Sequence, residues 1–166
     1  MSILSNAGIR AGAAGVPTGP EPDKGVVFNT TDTTYFSRTP SSAGNQKTWS
    51  FSCWVKKPNV ETHSVIFSRS NDGNNGLYRF VLSMYQGTLY MFSRFGSGGA
   101  HDCNVSTQNT FRDGTAWYHI LFVLDTTQGT AANRTKIYVN GAEPPLTYSV
   151  SPSQNLDLQV NSTNEH

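Results

Sequence analysis

The chain has 166 residues, 12 basic and 11 acidic side chains for a formal net charge of +1, and 36% hydrophobic and 14% charged residues. At about 100–200 residues per domain, one domain with some irregular segments is expected. The balanced charge, spread along the chain, offers no field to attract nucleic acid or an anionic membrane. Low charge content excludes a coiled coil, and no apolar run reaches the roughly 18 residues of a membrane-spanning helix, so neither nucleic-acid binding nor membrane insertion is expected.

Residues 1–24, MSILSNAGIRAGAAGVPTGPEPDK, hold four glycines, three prolines and four alanines but almost no large apolar side chains. They bury too little surface to offset ordering entropy alone, and read as an extended arm, either mobile or ordered against a neighbouring subunit. They also lack the apolar stretch of roughly 7–15 residues that a signal peptide requires, so export by the general pathway is not expected.

From Gly25 onward, short runs rich in Val, Phe, Tyr, Trp and Thr alternate with clusters of Gly, Asn, Asp, Ser and Pro, the punctuation of an all-β chain. Strands are predicted at 26–28, 34–37, 48–57, 65–69, 78–84, 88–95, 117–125, 136–139 and 156–160. The clearest is 48–57, with Trp49, Phe51, Cys53 and Val55 on one face and Ser50, Ser52, Trp54 and Lys56 on the other. Only Trp54 interrupts the polar face, either packing under a loop or offering a binding surface. The run 117–125 is apolar almost throughout, as suits a central strand covered on both faces. Gln86-Gly87 and Asn140-Gly141 supply positive-φ pairs for tight hairpins. With no helical periodicity over three turns, the pattern predicts an antiparallel β-sandwich or jelly roll over residues 25–166.

Cys53 and Cys103 lie in unrelated local patterns with no CxxC spacing, and buried free thiols are favoured over a bridge. The FGSGG run at 95–99 contains no Gly-x-Ser-x-Gly elbow and reads as a flexible loop. His101, Asp102 and Cys103 follow it, but strand alternation sends neighbours to opposite faces, which argues against a metal site.

The successive phrases VVFNTTDTTYFSRTPSSAGNQKTWSFSCWVKK, FRDGTAWYHILFVLDTT, RTKIYVNG and SPSQNLDLQVNST resemble the laminin-G-like, concanavalin-A-like domains of tail-fibre and other structural proteins of bacteriophages, notably the marine, cyanophage-type ones. The resemblance spans roughly residues 25–164 and implies that Trp54, the strand bearing Trp117, Tyr118 and His119, and the strand ending in Val139, Asn140 and Gly141 are structural marks of the sandwich. The opening MSILSNAGIRAGAAG is similar to the leader of such phage proteins. The implied protein is a virion component, made in the host cytoplasm, that docks on other virion proteins through residues 1–24 and assembles as a homo-oligomer, a trimer in a fibre. Family members continue past the NST segment with a closing strand, so stopping at His166 leaves edges unpaired and a longer natural protein is expected.

Some members of that fold are glycoside hydrolases, which need two carboxylates roughly 5–9.5 Å apart. Asp125, Glu143 and Asp157 are far apart in sequence and Glu61 stands alone, so no catalytic residues are assigned and no enzyme is expected. Calcium in rim loops is common in such domains. Ser70–Gly76, with Asp72 and the amides of Asn71, Asn74 and Asn75, is the best local candidate, but it lacks spaced acidic residues and reads as a β-turn. No metal or other cofactor is therefore assigned. For a host-surface glycan, Tyr85, Tyr90, Arg94, Asn104 and Arg112 are candidate contacts, while Arg38, Arg69, Arg79 and Arg94 read as solvated or subunit-contacting charges. The expectation is a tail-fibre or fibre-like virion component, with a carbohydrate-binding receptor module or a capsid decoration protein as the alternatives.

Overall fold

Alternation of large apolar and small polar residues decides the architecture, because in a pleated strand it separates an inner from an outer face. A computed structural model describes residues 25–28, 34–70, 79–94, 100–163 and 166. The proposed arm 1–24, the calcium-loop candidates Asn71, Asp72, Asn74 and Asn75, and the FGSGG run lie outside the described residues, as does the Arg79 side chain.

Eight strands are described: β1 (Thr48–Val55), β2 (Ser64–Ser70), β3 (Arg79–Tyr85), β4 (Thr88–Arg94), β5 (His101–Thr107), β6 (Tyr118–Asp125), β7 (Thr135–Val139) and β8 (Leu146–Val150). All pair antiparallel, in a three-stranded sheet of order β1-β6-β7 and a five-stranded sheet of order β2-β3-β4-β5-β8. The one helical turn described is a 3-10 segment at Ala131–Asn133. Among the described residues no helix is long and apolar enough to cross a membrane.

The core lies between the inner faces. Phe80, Leu82, Met84, Leu89, Met91, Cys103 and Val105 come from the five-stranded sheet, and Ile120, Phe122, Leu124, Ile137 and Val139 from the three-stranded one. Trp49 and Phe51 of β1 reach across to Phe67 and Phe80, with ring centroids 5.2 Å apart for Trp49–Phe67, 5.4 Å for Trp49–Phe80 and 5.2 Å for Phe51–Phe67. β6 is central in its sheet as predicted, but its outer residues Leu121 and Val123 are only half-buried, so one face of that sheet is open.

Two hairpins form where the sequence places them. Gln86 and Gly87 have φ of 50° and 78°, and Asn140 and Gly141 have 51° and 80°, the two positive values of a type I′ turn. Beyond the second, the chain crosses through Pro144 and Pro145 to β8 in the other sheet.

Several expectations are corrected. Residues 26–28 and 34–37 are not strands: Val27, Tyr35 and Phe36 are exposed. Beside them, Arg38 and His166 exchange backbone hydrogen bonds in both directions, at 3.1 and 2.9 Å. Residues 156–160 are not a strand either, although Leu158 and Val160 are fully buried. That segment leans on residues 44–46 through Leu158 N–H to the Gln46 carbonyl and Gly44 N–H to the Asn161 carbonyl, and Asn161, at φ 52°, turns it out of extended geometry. β5 and β8, by contrast, are strands that the pattern did not announce. Arg69 is not solvated but buried, its Nε donating to Ser162 Oγ at 2.8 Å, and burial holds its guanidinium below the usual arginine range.

Cys53 and Cys103 are free thiols on the inner faces of different sheets. Burial pushes Cys53 up to about 11, and burial followed by the Asp102 charge pushes Cys103 up to about 12. At pH 8 a thiol reagent should therefore label the native protein roughly a hundredfold more slowly than the urea-unfolded chain, and equal rates would contradict the core placement. Because both folded values exceed the free-thiol value, the thiols cost nothing below about pH 9. Stability should fall as pH rises from there through about 12, a slope that Cys103→Ala flattens in denaturant titrations.

A Cβ at Gly87 would lie 2.8 Å from Arg112 Cγ and 3.1 Å from the Phe111 backbone, at a φ that disfavours any side chain. Gly87→Ala should cost about 1–2 kcal/mol in urea unfolding. Gly129→Ala, with nothing within 4 Å of the new methyl, should stay within about 0.5 kcal/mol of the parent.

Candidate functional site

The outer face of the three-stranded sheet is built by the even positions of β1 and their partners. Trp54 stands opposite His119, Ser52 opposite Leu121 and Ser50 opposite Val123, while Tyr138 and Lys136 of β7 stand beside Leu121 and Val123. Small Ser50 and Ser52 leave the face low, and Trp54, 37% exposed, rises from it. Its indole meets the His119 imidazole at a centroid distance of 5.3 Å, tilted by 50°.

His119 is held from three directions. Its backbone N–H donates to Asn140 Oδ1 at 2.9 Å, and its carbonyl accepts from Asn140 N–H at 2.8 Å. Its Nε2 shares a 2.8 Å hydrogen bond with Ser52 Oγ, the diagonal reach between neighbouring strands. The positive φ of Asn140 thus closes a hairpin and also positions the histidine beside the indole. Gly25 crosses near this end of the sheet, where a Cβ on it would come 3.4 Å from the Trp117 ring.

The sequence-named sugar contacts lie elsewhere. On the outer face of the five-stranded sheet, Tyr90 stands opposite Ser83 and Ser106, Phe92 opposite Val81 and Asn104, and Arg94 opposite His101. Tyr90, Arg94 and Asn104 therefore share a face, but Tyr90 and Phe92 are half-buried. Tyr85, 41% exposed, lies at the hairpin end with its ring 6.1 Å from that of His63. Arg112 folds back on the same turn, Nε to the Gln86 carbonyl at 3.4 Å.

A shallow groove of about 450 Å³ runs between β7 and β8, lined by Lys136, Glu143, Pro144, Pro145, Leu146 and Tyr148. Its charged and phenolic groups are already paired. Lys136 bonds Glu143 at 3.1 Å, and the Tyr148 hydroxyl contacts the carbonyls of Ala132 and Thr135 at 3.2 Å.

The carboxylates weighed for hydrolysis serve separate local structures. Asp125 accepts from Thr127 and Gln128, bonds that hold it below the usual carboxylate range; Glu143 pairs with Lys136, and Asp157 stands 3.9 Å from Lys47. Among the described residues no group of three His, Cys, Asp or Glu side chains converges as a metal site needs. Ser52 and His119 are a hydroxyl–imidazole pair at hydrogen-bond distance, but among the described residues no carboxylate is bonded to His119 to orient it as a base. What the face offers is non-covalent: one exposed indole flanked by a fixed imidazole and hydroxyl. The sequence places Ser52 on the face of Trp54 and marks His119 as structural, but not the meeting of the three, which depends on the β1–β6 register.

Among solved structures, the chain is similar to the mouse laminin alpha1 chain, domains LG4-5, with a TM-score of 0.52 and 16% identity over 78% of this chain. It spans 30% of that structure's length, and at this identity the likeness concerns the fold. No curated protein sequence matches it. The family model for the concanavalin A-like lectin/glucanases superfamily, of laminin G type, matches residues 29–160. With that model covering most of a two-sheet antiparallel sandwich, the chain belongs to the concanavalin A-like lectin/glucanase superfamily.

Proposed function

We propose that this domain is a non-catalytic attachment module that adheres to carbohydrate, carried by a bacteriophage virion protein of tail-fibre or fibre-like type. The observation that carries the adhesive part is the open outer sheet face with a solvent-exposed indole in a lectin-type sandwich. The dispersed carboxylates support a binding role over hydrolysis. The virion part rests on the four phrases shared in order with phage structural domains and on the Gly- and Ala-rich opening. In this reading residues 1–24 dock on other virion proteins, the chain assembles as a homo-oligomer, a trimer in a fibre, and the sandwich faces the host surface. A capsid decoration protein is the variant in which the same arm anchors the domain to a shell.

Two measurements test this. The full chain, screened on an array of bacterial surface glycans with and without calcium, should bind a restricted set, and no binding in either condition would overturn the adhesive reading. Light scattering of the full chain should give a homo-oligomer, and a monomer at all concentrations would count against the fibre form.

A further inference from the structure

We infer that Trp54, His119 and Ser52 form a subsite for a neutral pyranose, with the sugar's C–H face on the indole and its hydroxyls on the imidazole and the serine oxygen. The inference rests on the carbohydrate reading above and adds to it a location and a ligand class.

The first support is the position of Trp54. Around it on the outer side of β1 are Ser50 and Ser52, with Lys56 just past the strand end, none of which needs a large aromatic neighbour. The inner-face ring cluster already contains the tryptophan that packs this sheet on the other, Trp49. Trp54 takes no part in that cluster, and more than a third of its surface meets solvent. An indole on a strand of small neighbours presents a flat, weakly hydrated plane, the surface on which a sugar's apolar face can shed water.

The second support is preorganisation. Sugars bind weakly when a site must order flexible groups, since each immobilised side chain costs about 0.5–1.5 kcal/mol. Here the sheet register, the two-way Asn140 bond and the Ser52 bond fix the imidazole beside the indole before any ligand arrives. Among the described residues no bond is found to His119 Nδ1, which leaves that nitrogen for a ligand hydroxyl. Ser52 Oγ keeps acceptor capacity beyond its bond to the ring.

The ligand class follows from charge. No carboxylate stands opposite Trp54 or Ser52, and the nearest charge along the chain, the Lys56 cation, interacts with the Asp113 carboxylate, so this end of the face holds a cation and an anion together and favours a guest of neither sign. A single lysine without an arginine fork does not select a polyanion either. The competing surfaces fit less well: Tyr90 and Phe92 are half-sunk in their sheet, and in the β7–β8 groove Lys136, Glu143 and Tyr148 are paired internally.

The test titrates the full chain, labelled with ¹⁵N at indole nitrogens, with methyl pyranosides of glucose, galactose, mannose and N-acetylglucosamine and with any array-positive glycan. The Trp54 indole signal, assigned by its disappearance in Trp54→Phe, should shift saturably while that of Trp49 stays. Affinity should fall roughly tenfold or more in Trp54→Ala and a few-fold in Ser52→Ala, with Tyr90→Ala unchanged. Binding that leaves the Trp54 signal still, or that is lost in Tyr90→Ala and kept in Trp54→Ala, overturns the subsite while the carbohydrate reading stands. Absence of binding to every glycan overturns the carbohydrate reading itself. If Trp54→Ala fails to fold, the wild-type titration and Trp54→Phe decide.

Discussion

The interlock of Trp49 and Phe51 with Phe67 and Phe80 is the contact on which the rest depends, because it fixes which face of β1 looks inward. A strand has a side-chain period of two, so slipping its pairing by one residue exchanges the faces entirely. Trp49 and Trp54 are five positions apart, an odd number, and cannot lie on the same side of a regular strand. Packing the first between the sheets therefore forces the second outward. The aromatic that offers itself to a ligand is exposed because another aromatic, on the same strand, is not.

The same contact explains how the open end of the core is closed. Phe67 also meets the His166 ring at 5.8 Å, and the neighbouring segment lays Leu158, Val160 and Ser162 over the interior on alternate positions. Arg69 lies beneath it, and its bond to Ser162 Oγ meets part of the cost of removing a guanidinium from water. The segment stays in place without joining a sheet, by backbone bonds to residues 44–46 and by the burial of two aliphatic side chains. Leu158 and Val160 lie in a run with strand-like composition and are buried, but periodicity cannot distinguish a hydrogen-bonded strand from a strap held by its side chains.

What the sequence made legible was the chemistry local to a few residues. β1 and β6 alternate or run apolar because both line the core, and the Gln86-Gly87 and Asn140-Gly141 turns need only residues that tolerate positive φ. β5, HDCNVST, and β8, LTYSV, were passed over because their outward residues are polar and their inward ones include Cys103 and Thr107, which carry little hydrophobic signal. The segments around Val27 and Phe36 erred in the opposite direction, having strand-forming composition but no ladder among the described residues. Arg69 was misplaced because its partner is 93 residues away. For the same reason Trp54 was visible as an anomaly while the contact of Ser52 with His119, across 67 residues, was not.

The placement of the candidate site on a sheet face rather than a rim loop bears on how it would work. Loops adapt to a ligand at an entropic cost, whereas groups on paired strands hold their spacing. Ser52 and Trp54 are set by the β1–β6 ladder, and His119 by that ladder together with the Asn140 turn, so a ladder and a turn converge on a few side chains. An arrangement so fixed gains little from induced fit and discriminates by shape, favouring a ring whose equatorial substituents leave one face flat. Weak single-site affinity is the natural consequence of a shallow, open platform, and multiplication through several copies would be the way such a site holds a surface. Assembly and sugar recognition would then be two halves of one function, the arm supplying copy number and the indole face supplying choice.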